Sequence, residues 1–434
     1  MHRFFFAFLF MTFQASAQSD IPPKPSAAQL EWHAMEYYWF IHFGPNTFTG
    51  KEWGEGNEKP EVFNPTQLDA MQWCRIAKAA GARGIIITAK HHDGFCLWPS
   101  KYSNHTVRES EWKNGRGDVL KELSDACKEF GLKFGVYISP WDRNHPLYGT
   151  EKYNDVFVGM MKELFTNYGP IWELWWDGAN GEGPNGKRQV YDWHRYEDFV
   201  RKISPQTMIF SDIGPDCRWV GNEKGIAAET NWNYLDTAGF KRGLGAPPAD
   251  TLAMGNVYGK NWIPAECDVS IRPGWFYRQS EDSLVKTPEE LFDLYLGSVG
   301  RGANLLLNVP VNDKGLIWGE DSVAVIGFQR LRREAFEKPL LTKTFSVAQR
   351  RYTMTFDKLE EISSIRLQEK IEAGQFISRF TVRFSKDGKL VKQLAGTTIG
   401  AQRILGFDPV VADAVEVSIE SLRGKGALKQ LDMY

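Results

Sequence analysis

Asp177 follows the apolar run 171–176 directly and precedes Gly178. A carboxylate there leaves the end of a buried strand and can act as nucleophile or base; the plainer reading is a turn residue ahead of a glycine. Other polar residues take equivalent positions. His42 lies in the run 38–43, His91-His92-Asp93-Gly94 follows the run 84–89, and Tyr137 stands near the end of 133–138. A lone His at a strand end is ordinarily structural. The pair His91-His92 is harder to dismiss, because neighbouring side chains on a strand point to opposite faces and a loop must turn one of them.

Two chemistries suit such a set. His42, His91, His92 and Asp177 could supply the three or more ligands of a metal centre, but no H-x-H or H-E-x-x-H spacing occurs. The expectation is therefore no metal and no cofactor. The other chemistry is sugar hydrolysis, which needs two carboxyls, one as nucleophile or base and one as general acid. Beside Asp177, the second carboxyl could be Glu223, Glu229 or Glu266. Glu173 is a weaker candidate inside its own strand. Spacing alone does not choose among them.

The elements that must position these residues can be read from periodicity. Strand-length apolar runs recur at 38–43, 84–89, 133–138, 171–176, 208–210 and 305–309, with weaker ones at 226–230 and 267–271. Continuous apolar strands are those buried on both faces, as in parallel sheets. Between them, 65–80, 119–130, 156–168 and 288–299 carry helical patterns; Asp118 suits an N-cap and Gly131 a C-terminal stop. Alternating strands and helices imply a (β/α)8-like barrel over residues 25–340, in which active residues gather at the C-terminal ends of strands. A doubly wound open sheet fits less well, since no G-x-G-x-x-G follows the first strand. Beyond about residue 340 the period becomes two: Phe380, Val382 and Phe384 alternate with polar residues, as do Val415, Val417 and Ile419. Asp387-Gly388 marks a hairpin. A small β-sandwich over 341–434 is expected.

Composition is that of a globular protein: 434 residues, 42% hydrophobic, 24% charged, net charge −2. With no Lys/Arg block, nothing favours nucleic acid as a partner. Residues 1–17 read as an export signal: Arg3, an apolar stretch over 4–13 and Ala15-Ser16-Ala17 at the cleavage point. That stretch is too short to span ~30 Å of hydrocarbon, so a periplasmic or secreted protein without membrane insertion is expected. The five Cys contain no C-x-x-C pair. The 16 Trp suit a large core or flat walls for sugar rings.

Taken together, His42-Phe43-Gly44, the stretch from Lys90 to Phe95, Trp98 to Ser103, Trp175-Trp176-Asp177-Gly178 and the segment from Gly302 to Pro310 resemble the α-L-fucosidases of glycoside hydrolase family 29. The likeness runs over about 31–339. It implies a barrel with a C-terminal β-sandwich and a retaining, metal-free mechanism. Asp177 falls on the family's nucleophile, and His42, Glu52, Trp53, His91, His92 and Tyr137 fall on positions that hold fucose. The stretch from Arg218 to Glu223 resembles the branch that removes α-1,3/1,4-linked fucose, in which Glu223 is the acid/base. The C6 methyl of fucose wants an aromatic wall such as Tyr137 or Trp275. The expected partners are fucosylated oligosaccharides or glycoconjugates. The competing readings are a broad or α-1,2-preferring fucosidase and a non-catalytic fucose-binding lectin, which would need the His and Trp but not both carboxyls.

Overall fold

The computed structural model describes residues 22–434, so the export signal expected at 1–17 lies outside the described residues. Eight parallel strands close a barrel: β1 (Tyr37–Ile41), β2 (Gly84–Lys90), β3 (Lys133–Ile138), β4 (Glu173–Trp175), β5 (Met208–Ser211), β6 (Cys217–Trp219), β7 (Ala265–Ser270) and β8 (Asn304–Asn308). Each strand pairs with the next, and β8 returns to β1 with Asn308 opposite Phe40.

Because side chains alternate, every strand serves two cores. Tyr38, Phe40, Ile86, Tyr137 and Trp175 fill the barrel, whereas Trp39, Ile41, Ile85 and Ile87 pack outward. Helices α1 (Ala27–Met35), α2 (Ala70–Ala79), α3 (Val119–Phe130), α4 (Lys152–Asn167), α5 (Trp193–Ile203), α6 (Pro288–Ser298) and α7 (Gly319–Phe336) complete the framework. α3 has the expected limits: the Asp118 carboxylate accepts from Lys121 N at 2.9 Å, and Gly131 closes the helix at φ +63°. α2 starts later than its pattern suggested, at the Asp69 cap, because Pro65 and Thr66 belong to the preceding turn.

The sixth strand departs from expectation. Residues 226–230 are a loop, and β6 is the three-residue segment around Arg218. A charged residue in so short a strand hides its periodicity. Arg218 is fully buried, but its guanidinium donates to the carbonyls of Leu252, Ile263 and Trp232, so each of its three nitrogens has a partner. β5 reaches β6 without an intervening helix. Glu223 therefore follows the sixth strand, not the fifth, and Glu266 lies inside β7 instead of ahead of it.

The C-terminal domain is antiparallel. β9 (Leu341–Thr344), β10 (Arg351–Glu369), β11 (Ile377–Lys386), β12 (Lys389–Gly396), β13 (Arg403–Leu422) and β14 (Leu428–Met433) hydrogen-bond as one six-stranded sheet in the order β9-β14-β10-β13-β11-β12. Residues from β10, β11, β13 and β14 share one core that includes Phe380, Val382, Phe384, Val415 and Val417. The Asp387-Gly388 turn has φ of +48° and +73°, the left-handed pair that a tight hairpin needs. All five thiols are free and buried; Cys74 of α2 and Cys127 of α3 lie 3.8 Å apart.

Candidate active site

One cavity of about 150 Å³ at the C-terminal rim is lined by His42, Glu52, Trp53, His91, His92, Tyr137, Asp177, Glu223 and Trp275. All nine residues expected from the sequence therefore meet in one place. Phe40, Trp175, Ala179 and Asp268 complete the lining. The volume is below the ~300–1,000 Å³ of drug-sized pockets, which suits a single sugar ring.

Asp177 lies two residues past β4. Its Oδ2 accepts from the Tyr137 hydroxyl at 3.0 Å and lies 3.7 Å from His92 Nε2, and its Oδ1 accepts from Ala179 N at 2.8 Å. Trp176, the residue before it, is buried on the other side of the strand against Trp193 and Tyr196. The alternation thus turns Trp175 and Asp177 together toward the pocket.

His91 and His92 both reach the cavity because the chain turns at Gly94. Gly94 has φ +84°, and a Cβ there would stand 2.3 Å from Asp142 Oδ1, so no larger residue fits. The two imidazoles are 4.2 Å apart between centroids. His91 stacks on Tyr137, while His92 Nδ1 is 2.8 Å from Ser139 Oγ. Burial strips water from all three pocket histidines. It lowers His42 to about 3, His92 to about 4 and His91 well below its ordinary value. They are neutral rings, able to donate from one nitrogen and accept at the other. The Tyr137 hydroxyl is pushed well above its ordinary range by burial and by the adjacent Asp177, so it remains a proton donor.

Glu223 stands on the exposed loop after β6, where Trp275 Nε1 donates to its Oε2 at 3.3 Å. Glu52 is held by the Trp275 backbone N–H and by Arg278. Trp53 is 55% exposed and sets its ring edge-on to His92 and Trp141, forming a lip. Among the Trp residues it is the exception, since most are core.

The other candidate carboxyls lie elsewhere. Glu229 is exposed and pairs with Arg301 and Arg403 where the barrel meets the C-terminal sheet. Glu266 and Glu173 are buried together inside the barrel below the cavity. Glu266 accepts from the Tyr38 hydroxyl and from Trp175 Nε1 at 2.8 Å, and Glu173 accepts from Trp32 Nε1 at 3.0 Å. Burial pushes both carboxyls up; Glu266 raises Glu173 further, whereas hydrogen bonds with Tyr38, Glu173 and Trp175 hold Glu266 down in part. With Cys217 they form the one compact His/Cys/Asp/Glu group among the described residues, and its acceptors are already engaged by Trp32, Tyr38 and Trp175.

Asp268 was missed by sequence reasoning. It is buried in β7, accepts from Trp219 Nε1 at 2.9 Å, and is pushed well above its ordinary value by burial and then by Glu223 and Glu266. The signal was present: Glu266, Asp268 and Ser270 alternate along a strand, the pattern of side chains turned into a barrel.

A parallel barrel with a one-ring pocket, four carboxyl groups and a wall of aromatic and neutral imidazole groups is the arrangement of a glycoside hydrolase, whose chemistry needs a pair of carboxyls at one sugar ring. Residues 24–325 match the family model described as Alpha-L-fucosidase. The chain is 38% identical to Alpha-L-fucosidase 1 of Arabidopsis thaliana, over 99% of this chain and 92% of that protein. A glycoside hydrolase family 29 member from an unknown rumen bacterium superposes with a TM-score of 0.88 at 41% identity, covering 95% of this chain and 77% of the other. A Ruminococcus gnavus family 29 fucosidase, solved in complex with fucose, superposes with a TM-score of 0.85 at 28% identity, over 96% and 97%. The chain belongs to the α-L-fucosidases of glycoside hydrolase family 29, a family of retaining hydrolases, and its substrates contain fucose.

Proposed function

We propose that this enzyme releases terminal α-1,3/1,4-linked L-fucose from Lewis-type glycans through a covalent fucosyl-enzyme. The observation that carries the reading is that Asp177 and Glu223, from different strands, line the same small cavity. Asp177 attacks the anomeric carbon, and Glu223 protonates the departing oxygen. Glu223 then deprotonates the water that breaks the ester, returning Asp177 as a carboxylate. The two carboxyls play different parts because their surroundings differ. Asp177 receives donors from Tyr137 and Ala179 that stabilise its charge, whereas Glu223 meets one indole N–H on an open loop from which it can reach a leaving group. Tyr137, Trp175 and Trp275 offer apolar faces to the C6 methyl. Both carboxyls in one cavity favour an enzyme over a lectin.

The linkage rests on the resemblance of the stretch from Arg218 to Glu223 to the α-1,3/1,4 branch. Incubation with Lewis a, Lewis x and 2′-fucosyllactose tests it: fucose should be released from the first two and not from the third. Release from 2′-fucosyllactose at an equal rate would replace this reading with the broad or α-1,2-preferring one. We also propose that the protein is exported by the signal at residues 1–17.

A further inference from the structure

We propose that Asn308 is a positioning residue that holds His42 with its proton on Nδ1, so that Nε2 must accept a hydrogen bond from a sugar hydroxyl, and that the same amide anchors the Trp275 wall against which Glu223 rests. This rests on the reading of the cavity as the fucose site.

Asn308 ends β8 and is fully buried. The parallel register sets it opposite Phe40, beside the chain as it leaves β1 toward His42. Its Oδ1 accepts the His42 backbone N–H at 3.2 Å and lies 2.8 Å from His42 Nδ1. Its Nδ2 donates to Ser270 Oγ at 2.9 Å and to the Trp275 carbonyl at 2.8 Å. The last contact fixes which way the amide faces, because a carbonyl oxygen can only accept. Oδ1 therefore faces His42, and an amide oxygen carries no proton, so Nδ1 must supply one. A neutral ring protonated at Nδ1 has a bare lone pair at Nε2.

The second half follows from Trp275. Its carbonyl is held by Asn308, its N–H by Glu52, and its ring lies 5.1 Å from His42, while its indole N–H holds Glu223. One buried amide thus joins the hydroxyl-gripping side of the pocket to the loop bearing the second carboxyl. The titratable groups sharing the cavity with His42 are His91 and His92 after β2, Tyr137 of β3, Asp177 after β4, Asp268 of β7, and Glu52 and Glu223 on loops. His42 Nδ1 pairs with none of them; its partner is the Asn308 amide.

Two measurements test this. Nitrogen-15 correlation spectra of His42 in the wild-type enzyme near pH 7 should show Nδ1 protonated and Nε2 bare. A proton on Nε2, or on both nitrogens, would overturn the proposal. That readout needs no turnover, so it stands apart from whether fucosides are cleaved. Asn308→Asp keeps the shape but cannot donate to Trp275, and its carboxylate favours a charged His42. KM for an aryl α-L-fucoside should rise about tenfold, the effect of roughly 1.4 kcal/mol. A new ionisation should also appear on the acid side of kcat/KM, with activity recovering as pH rises. An unchanged KM and pH profile in the folded variant would also overturn it; if the variant does not fold, the wild-type spectrum decides.

Discussion

Replacing Asp177 by Ala removes the proposed nucleophile, and the structure separates its chemical cost from its structural one. The side chain is 27% exposed and makes two hydrogen bonds, from Tyr137 and Ala179. Each contributes about 1–3 kcal/mol when an ionised group is involved, and water can replace part of that at the cavity mouth. Set against a typical total of about 5–15 kcal/mol, the variant should remain folded, with a modest change in Tm. The rate should fall far more. Loss of a covalent nucleophile costs on the order of 10⁴–10⁶-fold in kcat, or about 5–8 kcal/mol of transition-state stabilisation at 1.36 kcal/mol per decade. The Tyr137 hydroxyl and the Ala179 N–H would remain beside the vacated space, positioned to hold a small anion. Azide should therefore restore part of the rate on an activated aryl α-L-fucoside and give β-fucosyl azide, identified by proton NMR of the anomeric centre. Near-full activity of Asp177→Ala, or a rescued product of α configuration, would refute the assignment.

Two further outcomes follow from the same geometry. Glu223→Ala should lose most activity on fucosides with poor leaving groups and keep far more on a dinitrophenyl fucoside, which departs without a proton, whereas Glu229→Ala should be near wild type in both; equal losses on both substrates for Glu223→Ala would remove it as the acid. His33, which accepts from Trp262 Nε1 at 3.3 Å, has its pKa lowered by burial from 6.5 to about 3. Its contribution to stability is complete above about pH 6.5, where neither state binds the proton, and is lost as pH falls toward 3, because only the unfolded chain protonates. Wild type should therefore lose about 2 kcal/mol relative to His33→Gln between pH 7 and pH 5 in urea denaturation, at about 1.4 kcal/mol per pH unit; a pH-independent difference would contradict the buried neutral ring.

Much of this enzyme was legible in its sequence because barrel strands buried on both faces must be apolar, and the polar residues that break those runs stand at their ends. That logic placed His42, His91, His92, Tyr137 and Asp177 on one rim, and the family resemblance added Glu52 and Trp53 and singled out Glu223 among the three glutamates. It failed where a strand carries charge. β6 contains a buried Arg218 made tolerable by carbonyls distant in sequence, so its pattern resembles a loop, and the sixth strand was expected at 226–230 instead of at Cys217–Trp219.

Periodicity and local caps fixed which residues leave a strand toward solvent, since that depends only on neighbours along the chain. Which carboxyl stands beside Asp177 did not follow from them. Glu223, Glu229 and Glu266 are equivalent in local pattern, yet folding puts one on the cavity wall, one in an ion pair at the domain junction and one under the floor. That sorting comes from barrel closure, which pairs β8 with β1 across more than 260 residues of chain. The same closure brings the Asn308 amide to His42, and only contacts of that range can decide which nitrogen of a buried ring holds its proton.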